Sequence, residues 1–214
     1  MIVGMIGDTH FPFCRKEYLD HCKKVFKKYK VDRIIHIGDV VDNHATSFHT
    51  SDPDGFGALD ELDEAIKDVA EWYKEFPEVD VILGNHCRII TRKASLSGIS
   101  DRWVKEYNEV LGTPNWKWHI DLEIDGVLYH HGEGATARTM MKNYGQSVVG
   151  GHRHTECYLE YFFNPNGANF GMQIGCGIDR NSYAMAYARA YKHQALACGI
   201  VIDGKIAHLE PMIK

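Results

Sequence analysis

Short apolar runs alternate with helical patterns in the first half of the chain. The runs at 2–7, 33–38 and 79–84 predict β-strands, because each is brief, apolar and bounded by polar or turn residues. Between them, apolar residues recur at helical spacing over 16–29 and 58–76. This order of strand, helix, strand, helix and strand predicts parallel strands joined by right-handed crossovers.

The second half of the chain has the pattern of β-hairpins. Asp125-Gly126 separates apolar runs at 118–123 and 127–131, and Asp203-Gly204 separates runs at 197–202 and 206–209. An Asp-Gly pair between two such runs is a strong hairpin signal. Further strands are predicted at 147–149, 158–163 and 172–176. A parallel half followed by a hairpin-rich half predicts two packed sheets with helices outside.

Composition places the chain among soluble globular proteins and leaves its partners open. It has 214 residues and a net charge of −5, and no apolar run approaches the roughly 20 residues of a membrane-spanning helix. The first residues have no basic segment before their apolar run, so they predict a strand and no signal peptide. Six cysteines without a C-x-x-C pair favour free thiols and a cytoplasmic protein. No membrane association and no obligate protein partner are expected.

Polar motifs stand where five of the apolar runs end. They are Asp8-Thr9-His10, Gly38-Asp39-Val40-Val41-Asp42, Gly84-Asn85-His86, His131-Gly132 and Gly151-His152-Arg153-His154. Strand ends on one edge of a sheet converge, so these side chains are expected to meet in one pocket. Carboxylate, imidazole and amide groups with almost no thiolate favour divalent Mn, Fe, Ni or Zn over a structural cysteine-rich zinc site.

The five motifs, in this order, resemble the signature of the calcineurin-like metallophosphoesterase superfamily. Chain length favours a single domain over 1–214, with two small domains as the alternative. The resemblance implies an α/β fold, built as a four-layer αββα sandwich of two mixed β-sheets flanked by helices. It also implies two divalent ions, Mn²⁺ in the first place and otherwise Fe, Zn, Ni or Co, whose bridging hydroxide attacks a phosphate ester. By this pattern Asp39 bridges the two ions. The remaining implied ligands are Asp8, His10 and His154 for one ion and Asn85, His131 and His152 for the other.

His86 is the candidate catalytic histidine, since in the family it protonates the leaving oxygen or stabilises the transition state. Such a ring needs a partner that orients it, and Asp42 matches that role in the family pattern. The alternative for Asp42 is an aspartate that caps a turn. Asp8 and His10, like His152 and His154, are two residues apart, so each pair would share a face of a straight strand.

Three residues depart from the family pattern around these motifs. Cys87 replaces the acidic residue after G-N-H, and Asn43-His44 replaces the Arg-Gly of the protein-phosphatase branch. Cys87 is either a reactive thiol or a small packed residue. Candidate contacts to the substrate are His44, Arg88 and Arg92, with Lys93, His49 and Arg180 as further candidates. For the basic residues that follow His86, a solvated segment is the alternative.

Other charged and aromatic residues have structural interpretations. The lysines of 23–30 and the acidic residues Asp60, Glu61, Asp63, Glu64, Asp68 and Glu71 are predicted to line the outer faces of two amphipathic helices. A helical segment is predicted at 101–112, with core packing as the favoured role of Trp103, Trp116 and Trp118. His36 and His130 are expected to be packed histidines behind the site.

These observations predict a binuclear metal-dependent phosphoesterase that favours phosphodiesters. Nucleotides and nucleic acids are candidate substrates. Loss of the phosphate-gripping arginine weakens a protein-phosphatase function. One alternative is a phosphomonoesterase or protein phosphatase. The other is a noncatalytic metal-binding scaffold of the same fold, and the presence of His86 argues against it.

Overall fold

Eleven strands form two β-sheets in the part of the chain that the structure describes. The computed structural model describes residues 1–48, 52–165, 167–179, 182 and 193–213. In chain order the strands are β1 (Ile2–Ile6), β2 (Arg33–His36), β3 (Asp80–Ile82), β4 (Lys117–His119), β5 (Asp121–Ile124), β6 (Val127–His130), β7 (Ser147–Gly150), β8 (Cys157–Asn164), β9 (Gly167–Ile174), β10 (Ala197–Ile202) and β11 (Ile206–Pro211). The helices are α1 (Glu17–Tyr29), α2 (Ala58–Glu75), α3 (Ile89–Leu96), α4 (Tyr107–Val110) and α5 (Ala137–Tyr144).

Both sheets are mixed. The first has the order β11-β10-β1-β2-β3-β4, in which β1 to β4 are parallel, β10 is antiparallel to β1, and β11 is antiparallel to β10. The second has the order β5-β6-β7-β9-β8, in which β6, β7 and β9 are parallel and the outer strands are antiparallel. The carboxyl ends of β1, β2 and β3 therefore lie side by side, and so do those of β6 and β7.

The layers of the sandwich follow from three apolar clusters. One lies between the first sheet and helices α1 and α2, where Tyr18 and Trp72 pack together. A second fills the space between the sheets, where Met5 and Ile35 of the first sheet belong to one cluster with Met172 of the second. In a third, Met140 and Met141 of α5 cover the outer face of the second sheet. The predicted four-layer αββα sandwich is confirmed.

One predicted strand is divided between the sheets. The run at 118–123 was expected to be continuous, but β4 pairs with β3 in the first sheet and β5 pairs with β6 in the second. The chain changes sheets at Ile120, whose side chain is 74% exposed. Alternation of apolar residues predicts extended backbone but does not show which sheet a strand joins, because both sheets offer the same pairing groups.

The region around α3 and α4 departs furthest from the predictions. Helices α3 and α5 were not predicted, and the helical segment expected at 101–112 is a 3₁₀ turn at Asp101–Trp103 followed by the one-turn helix α4. Core packing is confirmed for Trp116, which is buried and donates its indole N–H to the Phe76 carbonyl at 2.9 Å. It is wrong for Trp103, which is 85% exposed.

The outer faces of α1 and α2 were predicted well with one exception. Most lysines of the α1 region are exposed, as expected. Glu61, however, is buried, and its carboxylate accepts hydrogen bonds from the backbone N–H groups of His44 at 2.6 Å and Ala45 at 2.8 Å. It therefore attaches α2 to the 3₁₀ helix His44–Thr46, which follows Asp42. No helix in the described ranges is both long and apolar enough to cross a bilayer.

Replacing Glu61 by alanine is expected to lower the free energy of unfolding by about 1–3 kcal/mol, because two partly buried backbone N–H groups would lose the acceptor that a buried carboxylate supplies. Urea denaturation measures the change. Glu64→Ala is the matched control, since Glu64 is on the same helix in an exposed pair with Lys67, and a change within about 0.5 kcal/mol is expected there. Equal losses in the two variants would show that the contacts of Glu61 contribute no specific stability.

Candidate metal centre

The five polar motifs converge at one edge of the two sheets. Asp8-Thr9-His10 follows β1, Asp39 follows β2 and Asn85 follows β3, while His131 and His152 follow β6 and β7. Three groups of side chains result, in each of which one ligand atom per residue lies within 4.8 Å of the others. The first is Asp8, His10, Asp39 and His154, the second is Asp39, His131 and His152, and the third is His10, Asp42 and His86. The sequence therefore predicted the right neighbours.

The first group surrounds the Nε2 atoms of two histidines. Nε2 of His10 lies 3.1 Å from Nε2 of His154, which is in turn 3.2 Å from Asp8 Oδ2. Nδ1 of His10 lies 2.5 Å from Asp42 Oδ1 and donates to that carboxylate. A neutral ring that donates through Nδ1 has only a lone pair at Nε2, so His10 presents an unprotonated nitrogen to the group.

The second group has the same arrangement of acceptors. Nδ1 of His131 donates to the Ile37 carbonyl at 3.1 Å, so a neutral ring carries a lone pair at Nε2. That atom lies 3.0 Å from both Asn85 Oδ1 and Asp39 Oδ2. Burial opposes a positive charge on this ring, but the Asp39 and Asp8 carboxylates raise the pKa of His131 to about 9. The negative potential of the site therefore favours a bound cation.

His152 completes the second group with a neutral ring. Its imidazole lies edge-on to that of His131, with 5.1 Å between the ring centroids. Burial, and then the neighbouring His131, lowers the pKa of His152 to about 4. An uncharged imidazole is the form that ligates metals.

Two buried carboxylate oxygens support a metal at this place. Asp8 Oδ2 accepts the backbone N–H of His152 and Asp39 Oδ1 accepts that of His86, each at 2.8 Å. The other oxygen of each carboxylate is buried and accepts no hydrogen bond, although His131 Nε2 lies close to Asp39 Oδ2. Leaving such atoms without partners is costly unless something else neutralises them. Divalent cations suit this donor set of carboxylates, imidazoles and one amide.

Glycines of the motifs make room for these side chains. A Cβ atom on Gly84 would lie 2.0 Å from Asp39 Oδ1 and 2.5 Å from the Asp39 nitrogen. A Cβ atom on Gly38, whose φ is +126°, would lie 2.3 Å from His131 Nδ1. Such distances are far below van der Waals contact, so a larger residue at either position would displace a predicted ligand.

The backbone turns sharply at three of the predicted ligands. His10, Asp39 and His152 have φ values of 49°, 47° and 66°, in the left-handed region that costs non-glycine residues energy. The expectation that Asp8 and His10 share the face of a straight strand was therefore wrong, because β1 ends at Ile6. The same holds for His152 and His154, since β7 ends at Gly150. Each pair converges through its turn.

The predicted partnership of His86 and Asp42 has two parts. Nδ1 of His86 donates to the backbone carbonyl of Asp42 at 2.7 Å, while the Asp42 carboxylate lies 3.3 Å away and binds His10 more closely. Burial lowers the pKa of His86, but Asp39 and Asp42 outweigh it, so that the net shift is upward. The His86 and His10 ring centroids are 4.6 Å apart, which places His86 beside the first group. The carbonyl position depends on the backbone rather than on the identity of residue 42.

The candidate substrate residues differ in their positions. Arg88 pairs with Glu133 next to the second group, whereas exposed Arg92 lies over the Phe48 ring, with Cζ 5.1 Å from its centroid. Nδ1 of His44 lies 3.9 Å from Asp42 Oδ2, and its Nε2 accepts the backbone N–H of Asp52 at 3.1 Å. His49 and Arg180 lie outside the described residues.

Cys87 is a packed residue. Its side chain is fully buried, and burial raises the pKa of its thiol to about 12. A reactive thiolate needs a lowered pKa and access to solvent, so the alternative of a reactive cysteine is not favoured.

His36 joins two motifs in a way that the sequence did not predict. It is fully buried, and its Nε2 lies 3.0 Å from Thr9 Oγ1, which donates to the Val40 carbonyl. Its Nδ1 accepts the backbone N–H of Gly38 at 3.3 Å. The packed histidine that was predicted therefore also connects the loops that follow β1 and β2. His130 is only half-buried, and its Nδ1 accepts the Gly132 N–H at 2.9 Å.

The family model of the calcineurin-like phosphoesterase superfamily domain matches residues 1–170 of the chain. The chain belongs to this superfamily. The match ends after the Gly151-His152-Arg153-His154 motif and within β9, so it contains all five motifs. Known members are mostly phosphoesterase hydrolases that use divalent metals. The single-domain assignment of 1–214 stays a prediction.

Solved structures of other proteins align with this chain at low sequence identity. A novel archaeal phosphodiesterase aligns with a TM-score of 0.54 and 17% identity, over 99% of this chain and 100% of its own. Vacuolar protein sorting 29 from Cryptosporidium parvum aligns with a TM-score of 0.48 and 12% identity, over 100% of this chain and 98% of its own. The E. coli phosphoesterase Yfce aligns with a TM-score of 0.44 and 14% identity, over 94% of this chain and 88% of its own. No curated protein sequence matches. The alignment with the archaeal phosphodiesterase indicates a common fold, and an identity of 17% leaves the substrate open.

Proposed function

We propose that this protein is a binuclear metal-dependent phosphoesterase that prefers phosphodiesters. The position of Asp39 carries the proposal. Its Oδ2 atom lies 3.6 Å from His10 Nε2 of the first group and 3.0 Å from His131 Nε2 of the second. A carboxylate oxygen between two sets of imidazole ligands is the natural means of holding two cations close together. Mn²⁺ is the proposed activating ion, with Fe, Zn, Ni and Co as alternatives.

In this proposal the chain supplies seven ligands. Asp8, His10 and His154 would hold one ion, Asn85, His131 and His152 the other, and Asp39 both. When bound, the ions would supply an activated water and neutralise charge on the phosphate. The partners behind the ligands fix their orientation: Asp42 holds His10 through Nδ1, and the Ile37 carbonyl holds His131.

His86 is proposed to act on the leaving group. Its Nδ1 is used in the hydrogen bond to the Asp42 carbonyl, so Nε2 is the ring nitrogen that serves the substrate. The ring is mostly buried beside His10 and keeps about a quarter of its side-chain surface exposed. That geometry suits a group that protonates, or donates a hydrogen bond to, the departing oxygen.

The preference for diesters is supported by the loop after Asp42. Protein phosphatases of this superfamily carry Arg-Gly where this chain has Asn43-His44. Asn43 has a φ of 54° and donates its side-chain amide to the His86 carbonyl at 3.0 Å, so it positions the backbone rather than gripping an anion. A dianionic monoester loses more than a monoanionic diester when a bidentate arginine is missing.

The test compares kcat/KM for bis-p-nitrophenyl phosphate, p-nitrophenyl phosphate and a phosphoserine peptide at one Mn²⁺ concentration. The diester is expected to be the best substrate. A tenfold preference for the peptide would contradict the proposal, since this corresponds to about 1.4 kcal/mol of transition-state discrimination in the opposite direction. No hydrolysis with any of the five metals, in protein that binds them, would instead indicate a noncatalytic scaffold.

A further inference from the structure

We propose that the ion pair of Arg88 and Glu133 forms a charge-neutral rim on a pocket for one ester group, and that Glu133 thereby selects against dianionic phosphomonoesters. The proposal rests on the proposed phosphoesterase function. The pocket is a cavity of about 190 Å³ beside the second group of predicted ligands. It is lined by Leu83, Arg88, Ile120, His130, His131 and Glu133.

The location of the cavity connects it to the reaction. One wall is the ring of His131, whose Nε2 faces Asp39. Leu83 and Arg88 flank the Gly84-Asn85-His86 motif, and Glu133 follows His131-Gly132. A substituent on a phosphorus atom held at the proposed metal centre would therefore point into this cavity or across its rim.

The size and lining of the cavity suit an ester group. Pockets for whole drug-sized ligands measure about 300–1,000 Å³, so about 190 Å³ suits a single substituent of a substrate. The side chains of Leu83 and Ile120 are apolar, and of the six lining residues only Arg88 is an arginine or lysine. An uncharged carbon group is thus accepted better than a second phosphate anion.

The ion pair removes the positive charge that a monoester would need. Arg88 donates from Nε to the Gly84 carbonyl at 3.3 Å and from a terminal nitrogen to the Glu133 carboxylate. The side chains are 39% and 44% exposed, which places the pair at the solvent rim. A guanidinium group grips phosphate oxygens through its paired N–H groups, but here a carboxylate occupies it. A dianionic monoester must compete with Glu133, whereas a monoanionic diester has less to gain from Arg88.

An exposed ion pair has a simpler interpretation, in which it only holds two loops together and contributes little to stability. The two interpretations differ in what happens when Glu133 loses its charge. Loop attachment predicts equal effects on all substrates. Charge selection predicts a change in the ratio of monoester to diester turnover.

Glu133→Gln removes the charge and keeps the size of the side chain. We expect kcat/KM for p-nitrophenyl phosphate to rise about fivefold and that for bis-p-nitrophenyl phosphate to change less than about twofold. Glu160→Gln is the matched control, because Arg138 and Glu160 form a second exposed pair, 50% and 39% exposed, between α5 and β8. Glu160→Gln should leave the ratio of kcat/KM for the monoester to kcat/KM for the diester unchanged. All reactions are run at one ionic strength, because salt screens exposed charges.

The double variant Arg88→Gln/Glu133→Gln tests the mechanism. If Glu133 acts by occupying Arg88, replacing Glu133 in the Arg88→Gln variant should not raise kcat/KM for p-nitrophenyl phosphate. A gain that persists there would mean that Glu133 repels the monoester directly, and the pairing would be overturned. If the wild-type protein hydrolyses the diester but Glu133→Gln leaves the ratio unchanged, this inference fails alone. If the wild type hydrolyses neither ester, the proposed function fails.

Discussion

Replacing Asp39 by asparagine is expected to empty both proposed metal sites and to abolish hydrolysis. The Oδ2 atom of Asp39 lies between the two histidine groups, so its loss removes a ligand from each. Oδ1 of the same carboxylate accepts the His86 N–H. Partners that only orient a ligand contribute about 10–100-fold to metal affinity, so the loss of a shared ligand should exceed roughly 100-fold.

Elemental analysis of protein prepared without chelator measures this effect directly. The wild type should approach two ions per chain and Asp39→Asn well under one, with a matching loss of activity. Asp203→Asn is a suitable control, because Asp203 occupies the β10–β11 turn with a φ of 49°, which asparagine also tolerates. A reproducible maximum of one ion per wild-type chain, with metal in excess, would exclude a binuclear centre. Retention of one tightly bound ion in Asp39→Asn would show that Asp39 belongs to a single site.

Replacing His86 by alanine is expected to lower kcat by about 10²–10⁴-fold, the usual contribution of a positioned acid or base. Metal content should remain close to that of the wild type, because His86 is in neither assigned ligand set. Steady-state kinetics and elemental analysis of the same preparations provide the two measurements. His208→Ala is the control, since His208 of β11 packs against Tyr29 of α1, in neither ligand set. Loss of metal together with activity would mean that His86 is a ligand.

Asp42→Asn separates the two contacts of Asp42. The carbonyl that accepts from His86 is unchanged by the substitution, whereas the carboxylate that binds His10 is lost. Metal affinity should therefore fall by about 10–100-fold, and activity should recover at high metal concentration. A kcat defect that persists at saturating metal would instead favour the carboxylate as the group that orients His86.

The order and type of the motif residues were enough to predict the fold and which polar side chains lie close together. The β1, β2 and β3 motifs end parallel neighbouring strands, so their side chains had to converge whatever the details of the loops. Asparagine, aspartate and histidine at those positions likewise indicated divalent metals. The local turns were not predicted, because the left-handed φ values of His10 and His152 have no simple sequence signal.

The amino-acid sequence by itself determined the superfamily, the layered fold and which residues meet at one edge of the sheets, since strand periodicity and the positions of the strand ends are local properties of the chain. Only the tertiary structure decided that Glu61 faces inward and Trp103 outward. It also decided that the Asp42 carboxylate binds His10, and that Arg88 is neutralised by Glu133. These outcomes depend on contacts between residues that are distant in the chain or on how neighbouring elements pack, and neither propensity nor hydrophobic pattern contains that information.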